Sequence, residues 1–114
     1  MKDFEKECQE RADSIAKHLN ALADGKVGKD DECQSLYDYF DDVYDVEYRI
    51  DGSGKYKSVR LMIAFGGPDI YVDTDDDYVK LYWGSTQVSA PISYDTSDAI
   101  DDIFEEYYTC ISNR

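Results

Sequence analysis

Histidine, proline and long apolar runs are what this sequence has least of. One histidine, His18, and two prolines, Pro68 and Pro91, occur in 114 residues. No apolar run nears the roughly 20 residues that cross a bilayer, so no membrane segment is expected. The three cysteines, Cys8, Cys33 and Cys110, are odd in number and none pairs at metal-ligand spacing. Each falls at an apolar position of an expected helix, which predicts free, buried, reduced thiols in a cytoplasmic protein. Residues 1–10 are charged throughout, so no secretory leader is expected. Basic residues are scarce as well. Twelve Lys and Arg stand against 26 Asp and Glu, for a net charge of −14.

The groups that usually carry catalysis are equally thin. His18 follows Lys17 on a helical stretch with no evident acid or nucleophile partner, so it is expected to be exposed and idle. Gly52-Ser53-Gly54-Lys55 has the tail of a phosphate loop, but Arg49 stands where its first glycine belongs and no helix follows. Asp73, Asp75 and Asp77 match the first ligands of a calcium loop, whereas Tyr78 and Gly84 occupy its glycine and glutamate positions. A glycosidase-like carboxylate pair cannot be singled out among so many acids. No catalytic residue, cofactor or metal is assigned, and an enzyme is not expected.

What is present is a chain with the length and the apolar share of one folded domain. It is 42% hydrophobic and 14% aromatic, too apolar for a disordered acidic tail. Phe4, Cys8, Ala12, Ile15, Leu19 and Leu22 recur at helical spacing, predicting a helix over 3–23 closed by Gly25 and Gly28. A second helix is expected from Asp30 or Asp31 to about Tyr44, with Cys33, Leu36, Tyr37, Phe40 and Val43 inward. Strand-like runs come next at 46–51, 55–65, 70–74 and 78–83, with a short edge run at 86–90. A third helix is expected from near Asp95 to Ile111, capped by Asp95 and Asp98, with Tyr107 in its core face. The fold class is therefore α+β: two N-terminal helices, an antiparallel meander of four to five strands, and a C-terminal helix packed on one sheet face. Alternation points Arg60, Met62, Tyr71, Tyr78 and Tyr82 to the opposite, open face.

The charge is segregated. Residues 1–29 hold six acids and six bases, residues 30–54 nine and one, residues 55–68 none and three, and residues 69–114 eleven and two. At about 100° per residue, Asp38, Asp41, Asp42 and Asp45 fall on one stripe of the second helix. Asp98, Asp101, Asp102, Glu105 and Glu106 do the same on the third. Neither stripe has a Lys or Arg at i+4 to offset repulsion. The turn Asp75-Asp76-Asp77 adds a third cluster. A surface kept only for solubility mixes signs and needs a net charge of only ~2–8. Rows of a single sign instead suit contact with a basic surface, as stand-ins for nucleic-acid phosphates. Eleven tyrosines supply contact area, and Tyr71, Tyr82 and Tyr108 are expected to be exposed. Direct nucleic-acid binding is excluded by repulsion of phosphates.

Gly66-Gly67-Pro68-Asp69-Ile70-Tyr71-Val72-Asp73-Thr74, followed by Val79-Lys80-Leu81-Tyr82-Trp83, resembles a family of small acidic proteins carried on bacterial mobile genetic elements. Pro91-Ile92-Ser93 and Asp98-Ala99-Ile100-Asp101 extend the resemblance over most of the chain. In general type the sequence is similar to anti-CRISPR inhibitors, many of them small DNA mimics. They share no common motif, so the resemblance assigns no residue. It implies a partner, a basic nucleic-acid-binding protein such as a Cas effector nuclease, whose DNA or PAM-reading groove would be occupied. An immunity protein or antitoxin against a nuclease toxin fits the same surface, and an acidic adaptor without mimicry is the alternative from another class.

Overall fold

The computed structural model describes residues 2–113, with the backbone alone at Lys2. Helix α1 (Lys2–Asp24) opens the chain, a short helix α2 (Leu36–Tyr39) comes second, and five strands precede helix α3 (Tyr94–Ser112). The strands are β1 (Asp45–Ile50), β2 (Tyr56–Ala64), β3 (Asp69–Asp73), β4 (Tyr78–Trp83) and β5 (Thr86–Pro91). They pair antiparallel in the order β1-β2-β3-β4-β5, a pure meander. The fold is α+β, as the periodicity predicts.

One sheet face carries the core. Val59, Leu61, Ile70, Val72, Val79, Leu81 and Ala90 are buried beneath the helices. They meet Cys8, Ala12, Ala16, Leu19 and Leu22 of α1, and Ile100, Ile103 and Phe104 of α3. Gly25 ends α1 in the left-handed region at φ 70°, which only glycine enters without cost. Its N–H bonds Leu22 O and the next N–H bonds Ala21 O, so two orphan carbonyls are satisfied. Helix α3 starts one step earlier than expected. Ser93, not Asp95, is its cap and accepts from Thr96 N.

The second helix is where sequence and structure part. Only Leu36–Tyr39 is helical, capped by Ser35. Asp38, Asp41 and Asp42 would repel one another at i+3 and i+4 in a longer helix. The sheet competes for the residues beyond Val43, and Tyr44 N already bonds Met62 O. Asp45 therefore opens β1 and shares the open sheet face with Met62 instead of a helical stripe. Residues 25–35 form an irregular connection held by His18. Its Nε2 lies 2.9 Å from Asp31, and the same carboxylate accepts from Cys33 N. His18 is thus a structural tether and not an idle surface group. Cys33 sits in this connection, not on a helix, and Cys110 is exposed; of the three thiols only Cys8 is buried. Tyr37 and Tyr107, expected in the core, are about half exposed at 53% and 48%.

Candidate interaction surface

Helix α3 is fixed to the rest of the fold at three levels. At its start, Asn20 Oδ1 of α1 accepts from Ser93 N at 3.0 Å and Thr96 Oγ1 at 2.7 Å. In the middle, Asp101 accepts from Tyr56 Oη at 2.6 Å and Thr74 Oγ1 at 2.7 Å. Near its end, Tyr108 Oη donates to Gly54 O in the β1–β2 turn at 2.7 Å. The ring of Tyr108 also packs on Tyr48 and Tyr56. Burying one helix stripe and bonding it in three places leaves the opposite stripe rigidly presented.

That stripe carries Asp98, Asp102, Glu105 and Glu106, all exposed. Residues four apart stand about 5–6 Å from each other between Cβ atoms. No base among the described residues forms an ion pair with any of them. Asp101, predicted as a fifth member, is half-buried and bonded inward. Burial raises its carboxyl above the usual aspartate range, and the charges of Asp98 and Asp77 push the same way, against the hydrogen bonds from Tyr56 and Thr74. The Thr74–Asp101 hydrogen bond shows that the β3–β4 turn adjoins the first half of α3. Asp75 and Asp76 are exposed there; Asp77 is partly so, at φ 64°. At the other side, Asp102 faces α2 across a shallow groove that it lines with Leu36 and Tyr37. Asp38, Asp41 and Asp42 are exposed beside that helix. The acids of three segments thus form one band: the β3–β4 turn, α3, then α2.

The structure places three predicted residues apart from this band. Asp45 lies at the edge of the open sheet face. Tyr71 and Tyr82 are neighbours on that same face, 5.9 Å between ring centroids, and both are half-buried. Tyr71 lies under the Arg60 guanidinium at 3.8 Å. Tyr108, expected to be exposed, is turned inward onto Tyr48 and Tyr56.

Sequence patterning missed what builds the β3–β4 turn. Asp73 is buried on the open sheet face, and Arg49 of β1 grips it with two parallel bonds of 2.8 Å. Lys80 lies 3.7 Å from Asp73 and pairs with Asp76. Burial would raise the Asp73 carboxyl, but the Arg49 and Asp75 N hydrogen bonds and the cationic neighbours hold it below the usual range. Both oxygens of Asp73 face protein cations, which leaves it unsuited to lead a calcium loop. The one signal in the sequence was Arg49 itself, the single base in an acidic block. Its partner lies two strands away, and only sheet register brings them together. Among the described residues no helix is long and apolar enough to cross a membrane. No protein-family profile, curated protein or solved structure matches the chain.

Proposed function

We propose that the protein is a non-catalytic inhibitor that occupies the nucleic-acid groove of a basic protein, with a Cas effector nuclease as the most specific target. The supporting observation is the band of exposed carboxylates on α3, in no ion pair with any base among the described residues and held on a helix bonded to the fold at three levels. A rigid row of anions releases counterions from a cationic groove as phosphates do, and a helix already fixed to the fold loses little backbone freedom on binding. Asp75, Asp76 and Asp77 extend the row, and Asp38, Asp41 and Asp42 flank it.

The test is a cleavage assay with guide-loaded Cas effectors at graded salt. Stoichiometric inhibition that weakens steeply between about 50 and 200 mM salt is expected. Inhibition unaffected by salt, or turnover of a substrate without any protein partner, overturns the reading.

A further inference from the structure

A second surface lies at the far end of α3, away from the exposed acids of its first half. Strand β1 is a sheet edge, bonded to β2 alone. Among the described residues no backbone hydrogen bond joins its outer side to another segment. Beside this edge runs an apolar groove of ≈ 350 Å³. Val46 and Tyr48 of β1 form one wall, Phe104, Tyr107 and Ile111 of α3 the other. Ile111 is 51% exposed and Ile50, at the end of the strand, 48%. A row of unpaired strand groups next to an apolar trough is the arrangement that accepts an added strand.

The charges around the edge select the occupant. Asp45 and Glu47 alternate with Val46 and Tyr48 along β1, facing the open side of the sheet. Asp41 stands at the groove and Asp51 comes directly after the strand. Of the bases beside these acids, Arg49 is held by Asp73 and Arg60 reaches Glu47 at 3.3 Å, leaving that carboxylate 59% exposed and Asp45 in no ion pair among the described residues. A second copy would bring another net charge of −14 and set acids against acids. A strand with cations on one face and apolar groups on the other meets both requirements, since its side chains alternate as those of β1 do.

We infer that β1 and the β1–α3 groove bind an extended segment of a partner protein in which basic and apolar residues alternate. Its backbone pairs with the free edge of β1. Its apolar side chains enter the groove against Tyr48, Tyr107 and Ile111. Its Lys or Arg side chains lie over Asp45 and Glu47. Asp41 borders both this site and the flank of the phosphate-mimicking band, but the groove is lined by none of the α3 carboxylates, so either can fail without the other.

The probe is a capped, fluorescein-labelled octapeptide of alternating Val and Lys, compared with a Val4Lys4 block peptide of equal charge. The alternating peptide binds more tightly, and amide shifts in the intact protein concentrate on β1 and the second half of α3. Ile111→Glu weakens it by about tenfold or more. Glu47→Lys weakens it by about three- to tenfold. In a Cys33→Ser background, a bulky maleimide on exposed Cys110, which lines the groove, fills it and blocks binding without substituting any groove residue. Equal affinity for the block peptide, shifts confined to the acidic band, or binding indifferent to a filled groove overturns the inference. Sedimentation of the protein alone as a dimer with β1 amides protected also overturns it, assigning the edge to a second copy.

Discussion

Arg49 and Asp73 lie on strands separated by β2, yet two parallel hydrogen bonds of 2.8 Å join them across it. The aspartate is buried and the arginine partly exposed. The pair fixes the end of β3, so it sets where the Asp75–Asp77 turn begins.

Removing one partner of such a pair strands the other. Arg49→Ala should cost about 3 kcal/mol, read as a lower denaturant midpoint with an unchanged slope. The folded Asp73 carboxyl sits below its unfolded value. Its contribution is therefore fully present above the unfolded range near pH ~4 and is lost as pH falls through the lower folded value. The stability difference between the two proteins should be widest near pH ~7 and close as pH falls through the lowered folded value.

Asp101 has the opposite sign. Its folded carboxyl is raised, so its ionisation works against folding as pH rises past the unfolded value. Asp101→Asn keeps an oxygen for Tyr56 and Thr74 and relieves repulsion from Asp98 and Asp77. It should melt at or above the parent temperature at neutral pH. Asp101→Ala leaves both hydroxyls without that acceptor and should cost about 1–3 kcal/mol. Thermal melts of the pair at neutral pH separate the two effects, and an Asn variant as unstable as the Ala variant would refute the assignment.

The proposed inhibitory surface is tested by removing charge at carboxylates that form no ion pair among the described residues. Asp98→Asn, Asp102→Asn, Glu105→Gln and Glu106→Gln together should leave the circular dichroism spectrum intact. Inhibition of the target should fall by about a hundredfold, with a shallower salt slope. Full inhibition by this variant would sink the mimicry reading. Asp101 is left out because its carboxylate is bonded inward to Tyr56 and Thr74 and is not part of the outward row.

Gly67 occupies φ 138°, a region closed to side chains, and a Cβ there would face the Trp83 indole at 3.5 Å. Gly67→Ala should lower stability by about 1–3 kcal/mol through backbone strain. Gly28, in open space at an ordinary φ, is the control and should accept Ala with little change. Equal melting of the two variants would show that the Gly66–Pro68 turn does not need its glycine.

The three thiols should react in order of exposure. Cys110 is exposed, Cys33 intermediate and Cys8 buried. Burial and then the charges of Asp31, Asp38, Glu32 and Asp42 raise the Cys33 thiol. A disulfide reagent at pH ~8 should modify Cys110 first, Cys33 more slowly and Cys8 only on unfolding. A fast reaction at Cys33 would contradict the acidic setting assigned to residues 31–42.

How much of the fold was readable beforehand differs by element. The stripe of α1, the alternation in β1 to β5 and the Ile100, Ile103 and Phe104 face of α3 are local periodicities. They gave the α+β meander and the open face of Arg60, Met62, Tyr71, Tyr78 and Tyr82 directly. The outward row of α3 was equally visible, because a helix displays its periodicity in its own sequence. The segment 30–45 was not. Its spacing suits a helix, but repulsion among its aspartates and pairing of Tyr44 with β2 end the helix at Tyr39. Asp101 looked identical to Asp98 in spacing, and only Tyr56 and Thr74, brought over from β2 and the β3–β4 turn, turned it inward.

The sequence by itself thus determined the fold class and the excess of negative charge, since both come from composition and short-range pattern. Tertiary structure alone decided which carboxylates are free and which are fastened. Arg49, Tyr56 and Thr74 reach their acids only when distant strands and α3 are in register. The band on α3 is what that selection leaves, acids with which no base among the described residues forms an ion pair.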